Sequence, residues 1–442
     1  MISSLHKYII LAIALLYRSE PSISVSLPSH TQEHTMTPTK KHQVSVIGSG
    51  NWGSTIGKIL AENTSEHTNS FESPVRMWVF EEEITVPSDS PHHSKYGDRP
   101  QKLTQVINET HENVKYLPGI KLPENLIATP DIKEAVKDAS ILVFNLPHQF
   151  IGKTLDQIKG HHLPYARGIS CIKGVDVSDG KVTLFSELIM QKLGIYCGAL
   201  SGANIAPEVA AERLCETTIG YDPPPMDLTS RDGAPEDNLV KVDGQRQKDL
   251  NSTGITLERV PQDYPHVDDE LLEKLFARPY FFVHVVKDVA GVALGGALKN
   301  IVALAAGFVA GKQWGENTKA AIIRQGVGEM IRFGRTWFPN SVNERTFTEE
   351  SAGIADLVAS CCGGRNVRSA THAVEKGVSV AEIEKTEMNG QKLQGVSTAQ
   401  TVYGFLEKHG KTDDFPLFCA VNNIIEGKAK VDDLPALLNR RK

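Results

Sequence analysis

The chain has 442 residues, enough for two or three domains, and is 40% hydrophobic and 23% charged, the composition of a globular protein. Lys and Arg number 47 against 53 Asp and Glu, a net charge of −6, which excludes a nucleic-acid partner gripped through a broad basic surface. Six scattered cysteines form no CxxC and no His/Cys ligand grouping, so neither a metal site nor a disulfide framework is expected, and a reducing compartment fits best.

Residues 1–42 read as an N-terminal extension. Within it YIILAIALLY (8–17) is apolar but too short to cross a bilayer as a helix, so no stable membrane span is expected. A basic start and Ser22, Ser24 and Ser26 give the segment the look of a secretory signal. The plainer reading is a dispensable extension with Met36 as the working start. Everything after residue 42 has cytosolic character, and the expected location is cytoplasmic.

Structure begins at QVSVIG (43–48), a β-branched run ending in glycine, which predicts a buried parallel strand. Ile56, Ile59 and Leu60 predict a helix from Gly53 to about Asn63. Further strands are predicted at 75–80, 139–147, 165–174 and 194–204, with an amphipathic helix at 182–193. Strands alternating with helices imply a mainly parallel, Rossmann-type α/β domain over residues 43–287. Two polar stretches, 84–100 and 222–254, read as insertions. The second, with Pro223-Pro224-Pro225 and no aromatics, offers too little apolar surface to offset ordering entropy. His92-His93 in the first reads as a solvated pair rather than metal ligands.

From residue 288 the pattern is helical, giving an all-α domain over 288–442. Residues 288–311 are rich in Ala and Gly, as suits a closely packed buried helix, and helices follow at 318–335, 351–361, 379–388, 397–409 and 416–426. Ser379 with Glu382 predicts a capping box.

The strongest motif is Gly48-Ser49-Gly50-Asn51-Trp52-Gly53, a GxGxxG turn between a predicted strand and a predicted helix. Its glycines permit a tight turn, close approach of a pyrophosphate and close helix–strand packing, and the helix N-terminus offers free N–H groups. At the end of the next strand, Phe80-Glu81-Glu82-Glu83 places acid where a 2′-phosphate would sit, favouring NAD over NADP. Lys173 ends a strand on the ligand-binding side of the sheet. Lys299 lies in the otherwise uncharged GALKN stretch, where it either snorkels or faces a cleft. Asp356 and Ser360 share one helix face, and Gly363-Gly364 exposes Arg365-Asn366, a pair suited to phosphate and equally suited to a helix end.

Taken together, VIGSGNWGS (46–54), MWVFEE (77–82), PHQFIGK (147–153), IKGVD (172–176), SGANIAPEVA (201–210), GALKN (296–300), GIADL (353–357), GGRN (363–366) and NGQKLQG (389–395) give the chain a resemblance to the eukaryotic-type NAD-dependent glycerol-3-phosphate dehydrogenase family. The resemblance implies interconversion of dihydroxyacetone phosphate plus NADH with sn-glycerol 3-phosphate plus NAD⁺, by a homodimer. It implies Lys299 as the proton-transferring group with Asn300, Asp356 and Lys173 beside it. Ser360 is implied as substrate-binding, and Arg365 and Asn366 as lying near the substrate phosphate and the cofactor. Phe80, Phe150, Ala206, Arg365, Lys392 and Gln394 are implied at the NAD site. The chain departs from the family's pattern in Ser360 for Thr, Cys362 for an aromatic residue and Asn145 for an apolar one. A related hydroxy-acid dehydrogenase, or a non-catalytic NAD-sensing protein on the same fold, are the rival readings.

Overall fold

The fully buried run Val44–Ile47 forms strand β1. Seven further runs join it: β2 (Val75–Trp78), β3 (Leu126–Thr129), β4 (Ile141–Phe144), β5 (Arg167–Ser170), β6 (Tyr196–Ser201), β7 (Cys215–Gly220) and β8 (Phe281–Val286). The computed structural model describes residues 38–438 except 179, 223, 225–226, 228–238, 243–254 and 389–391. In it these strands make one sheet in the order 3-2-1-4-5-6-7-8, parallel throughout except between β6 and β7. The chain passes from one side of β1 to the other at β4, which opens a crevice at the carboxyl ends of these two strands. Helix α1 (Asn51–Glu66) leaves β1 directly across the glycine turn and buries its apolar face on the sheet.

A helical core follows around α4 (Val289–Gly311), introduced after α2 (His148–Ile158) and α3 (Phe185–Leu193) of the sheet domain. Helices α5 (Glu316–Trp337), α6 (Asp356–Gly363), α7 (Arg365–Lys376), α9 (Gln394–Lys408) and α10 (Pro416–Ile425) all pack on α4, and α8 (Val380–Glu387) packs on α7. By length and composition α4 could cross a membrane, but 94% of its apolar window is enclosed by protein, as expected of a core helix. Its small residues let neighbours approach: a Cβ on Gly295 would lie 2.4 Å from the Ala352 carbonyl oxygen. Asp288 caps the helix, accepting from Gly291 N–H (2.6 Å) while also holding Asn343 N–H (2.9 Å) and Thr346 Oγ1 (2.6 Å). The predicted 351–361 helix begins as a π-helical turn, Ser351–Ala355, which runs straight into α6. Ser379 caps α8 through Glu382 N–H at 3.1 Å.

Three expectations need correction. The predicted 182–193 helix starts only at Phe185, because Lys181–Leu184 pair with Val175–Ser178 as a hairpin whose Val175, Val182 and Leu184 join the helical core. His92 and His93 are not simply solvated: His92 Nε2 contacts Glu112 Oε2 at 3.1 Å and His93 Nδ1 contacts the Val86 carbonyl at 2.9 Å. The 222–254 stretch is partly built into the fold. Leu239–Val242 pair with Ile255–Glu258. Asp227 is buried and takes two hydrogen bonds from Arg167, each 2.7 Å. The remaining Arg167 donors meet the carbonyls of Tyr165, Ala166 and Glu258, so the guanidinium is fully satisfied at 1% exposure. Polarity alone did not predict this, because one bidentate ion pair anchors a segment without any apolar surface. Residues 1–37, with the apolar run of the extension, lie outside the described residues.

Removing one partner of a buried, fully bonded pair leaves an uncompensated charge. Asp227→Ala is therefore expected to cost about 3–5 kcal/mol of stability in urea unfolding. Arg167→Met/Asp227→Leu, which removes both charges, is expected to cost clearly less. Equal losses would show that the pair's charge is not what anchors the segment.

Candidate active site

Three elements bring charge together at the carboxyl end of the sheet. The Ala- and Gly-rich helix α4 carries Lys299, α6 carries Asp356 and Ser360 one turn apart, and the loop after β5 carries Lys173. Asp356 is the first residue after the π-helical turn, a device that re-aims side chains at functional sites. Lys299 Nζ bonds directly to Asp356 Oδ1 and donates to Ser360 Oγ at 2.7 Å. Lys173 Nζ reaches the other carboxylate oxygen, Oδ2, at 3.0 Å. Ser201 Oγ approaches the same oxygen at 3.5 Å, a residue the motif reading missed although it ends β6 at this edge of the sheet. Lys299 is 6% and Asp356 3% exposed.

Burial fixes the chemistry of this cluster. It pushes the Lys299 amine down from the ordinary lysine range to about 7, and the positive charge of Lys173 pushes the same way. Asp356 opposes both without overcoming them. An amine with a pKa near neutrality can both give and take a proton, which is what a general acid–base catalyst needs. The sequence left open whether Lys299 snorkels or faces a cleft; it is buried and ion-paired.

Asn300 and Asn366 form a second, neutral link. Asn366 Nδ2 donates to Asn300 Oδ1 (2.9 Å), and Asn366 Oδ1 accepts from Gly395 N–H (3.0 Å), joining α4, α7 and α9. Both polar atoms of Asn366 thus have protein partners. Gly363-Gly364 separates α6 from α7 as expected, and Arg365 stands exposed in the first turn of α7.

The dinucleotide motif takes the form its spacing predicted. Gly48 has φ +112°, and a Cβ there would lie 2.6 Å from the Asn145 carbonyl oxygen. A Cβ on Gly53 would lie 2.2 Å from the Gly48 carbonyl oxygen, whereas Gly50 faces open space. Gly50 heads α1 with no side-chain cap, which leaves the first N–H groups of the helix for a ligand. These features fit a pyrophosphate. The Ser49 carbonyl accepts from Ser54 and Asn113, and Asn51 Nδ2 donates to the Tyr116 carbonyl, so both fix the turn. Trp52 packs its ring on Phe281, 6.2 Å between centroids, and is a core contact.

Phe80 (72% exposed) and Phe150 (54%) follow β2 and β4 at the same sheet edge and present open rings. The Ala206 carbonyl accepts from Thr55 Oγ1 on α1 at 3.2 Å. Lys392 is bound by Glu384 at 2.9 Å, and Gln394 opens α9; the neighbouring Asn389–Gln391 lie outside the described residues. The acidic cluster after β2 does not stand free. Glu81 accepts from Thr104 N–H (3.2 Å) and Oγ1 (2.6 Å), and Glu82 accepts from Tyr116 Oη (2.7 Å) and pairs with Lys115.

Comparison with known proteins places the chain among NAD-dependent glycerol-3-phosphate dehydrogenases. The family described as the N-terminus of NAD-dependent glycerol-3-phosphate dehydrogenase matches residues 43–226, and its C-terminal counterpart matches residues 288–436. A glycerol-3-phosphate dehydrogenase [NAD(+)] of Eremothecium gossypii is 48% identical over 396 residues, covering 90% of this chain and 82% of that protein. One from Schizosaccharomyces pombe is 49% identical over 390 residues, 88% of each. The solved glycerol-3-phosphate dehydrogenase of Saccharomyces cerevisiae superposes with a TM-score of 0.75 at 45% identity, covering 91% of this chain and all of that one. That of Plasmodium falciparum gives 0.72 at 31% identity over 91% and 96%.

Lys173→Met removes a positive neighbour of Lys299 and is expected to raise the titration of the Lys299 amine by about one pH unit or more, since a like charge nearby disfavours protonation. The Cε resonance of ¹³C-labelled lysine reports this directly. A Lys299 that titrates above pH 10 in the parent chain would contradict the burial argument, and one unmoved in the variant would contradict the influence of Lys173.

Proposed function

Because the chain belongs to the NAD-dependent glycerol-3-phosphate dehydrogenase family, we propose that Lys299 is the group through which it moves the proton of the family's reaction. The chain is an NAD-dependent oxidoreductase that interconverts dihydroxyacetone phosphate and sn-glycerol 3-phosphate. Bound NADH supplies a hydride to C2 of dihydroxyacetone phosphate. As charge develops on the C2 oxygen, the Lys299 ammonium donates a proton to it; in the reverse direction the neutral amine accepts the proton of the C2 hydroxyl. The observation that carries this reading is the buried Lys299 amine, bonded to Asp356 and Ser360 with Lys173 on the same carboxylate.

In this reading Asp356 holds Lys299 in place and stabilises its charged form, while Ser360 fixes its direction. Lys173, anchored on the same carboxylate, adds positive charge where the alkoxide develops. Arg365 serves the substrate phosphate as a planar fork. Asn366 acts with Asn300 to hold α7 against α4, so that Arg365 is presented from a fixed helix end. Gly50 receives the pyrophosphate on a turn that Gly48 and Gly53 keep tight, and the exposed rings of Phe80 and Phe150 offer apolar contact to the rest of the cofactor. Phe282 (53% exposed) on the edge strand β8 supports a homodimer, and free cysteines support a cytoplasmic location.

The test is NADH oxidation with dihydroxyacetone phosphate. Lys299→Ala is expected to lower kcat by about two to four orders of magnitude, the scale of a general acid, with the Kd for NADH within about twofold of the parent. Turnover within a few-fold of the parent would make Lys299 a packing residue.

A further inference from the structure

Gly48 and Asn145 are the residues that immediately follow β1 and β4, so they meet where the sheet order reverses. Their backbones are in contact. The Asn145 N–H donates to the Ile47 carbonyl at 2.8 Å, and the Asn145 carbonyl oxygen closes on the Gly48 Cα so tightly that no side chain fits between them. The Asn145 side chain then runs beside the first turn of α1, its Cβ 3.4 Å from where a Cβ on Gly53 would lie. Both its Oδ1 and its Nδ2 are buried and lack a hydrogen-bond partner. Among the described residues it is the one side-chain amide with both its donor and its acceptor unmet.

Native folds seldom leave a buried amide wholly unmet, and where they do the site asks for an explanation. Packing gives none here, because an apolar side chain of similar size would fill the position without the cost of desolvating an amide. The place supplies one: ligands of open α/β sheets lie across this crevice. The missing partner must offer an acceptor and a donor side by side. A pyrophosphate alone offers only acceptors; the ribose attached to it adds hydroxyl donors.

We propose that Asn145 is a cofactor-binding residue of this chain, its amide hydrogen-bonding the ribosyl pyrophosphate on the nicotinamide side of the dinucleotide. Nδ2 donates to a phosphate oxygen and Oδ1 accepts from a ribose hydroxyl. The nicotinamide side follows from the topology: β2, with Phe80 and Glu81 at its end, lies on the opposite side of β1 from β4 and takes the adenosine half. Asn145 as a whole keeps partial exposure, so rotation about its own side-chain bonds brings the amide into the crevice with the backbone unmoved. The inference rests on the dinucleotide reading of the Gly48–Gly53 turn.

The experiment compares the full chain with Asn145→Val and Asn145→Ser. Calorimetry gives the Kd for NADH, ADP-ribose and AMP, and thermal unfolding gives the midpoint without ligand. Asn145→Val is expected to weaken NADH and ADP-ribose about tenfold, leave AMP within about twofold, and leave the unliganded midpoint unchanged or higher. Asn145→Ser, whose hydroxyl retains a shorter donor and acceptor, is expected to bind NADH with intermediate affinity. ADP-ribose binding to Asn145→Val within about twofold of the parent would overturn the proposal. So would equal weakening of AMP, a clearly lower unliganded midpoint, or failure of both variants to fold, since each would show that the amide serves the turn itself. If the parent chain fails to bind NADH at all, the dinucleotide reading falls first; if the parent binds and the variants bind equally well, only the role of Asn145 falls.

Discussion

The site depends on one costly arrangement, a lysine amine held out of water between a carboxylate and a second lysine. Lys299 contacts Asp356 and Ser360, and Asp356 is shared with Lys173. Burying a lone ammonium would be prohibitive, and Asp356 offsets only part of that cost. Desolvation is the larger effect and the positive charge of Lys173 adds to it, so the Lys299 amine falls to about 7.

The rest of the molecule holds this cluster at the edge of the sheet. Lys299 lies on α4, whose glycines admit Ala352 and the π-helical turn that delivers Asp356. Lys173 and Ser201 come from the ends of β5 and β6, where the sheet presents its ligand side. The hairpin 175–184 buries Val175, Val182 and Leu184 in the helical core and so ties the loop carrying Lys173 to the helices carrying Lys299 and Asp356. Proximity between groups 183 residues apart is thus a product of packing, and orientation of this kind is where much of an enzyme's rate advantage arises.

The glycine turn was legible in the sequence because its requirements are local: a strand, three spaced glycines and a helix, each with its own pattern. The small-residue helix and the lone lysine within it were legible for the same reason. What Lys299 does was not, because the answer lies in Asp356 and Lys173, which no periodicity connects to it. Asp227 was missed because a single buried ion pair has no compositional signature and its segment looks merely polar. Glu81 stood in the right place for a ribose, but its carboxylate is taken by Thr104, whose proximity only the fold decides. Asn145 was visible as a departure in a familiar string, and its meaning emerged only when both its polar atoms proved unmet.

The claim that burial tunes Lys299 for proton transfer meets its most direct test in the pH dependence of kcat/KM, which reports the free enzyme. Reduction of dihydroxyacetone phosphate needs the ammonium, so its kcat/KM should fall as pH rises through about 7, the value set by burial and Lys173. Oxidation of sn-glycerol 3-phosphate needs the neutral amine, so its kcat/KM should rise through the same region. A reductive kcat/KM that stays flat to about pH 9 would mean that Lys299 titrates as an ordinary ion-paired lysine, and the account would fail at its centre.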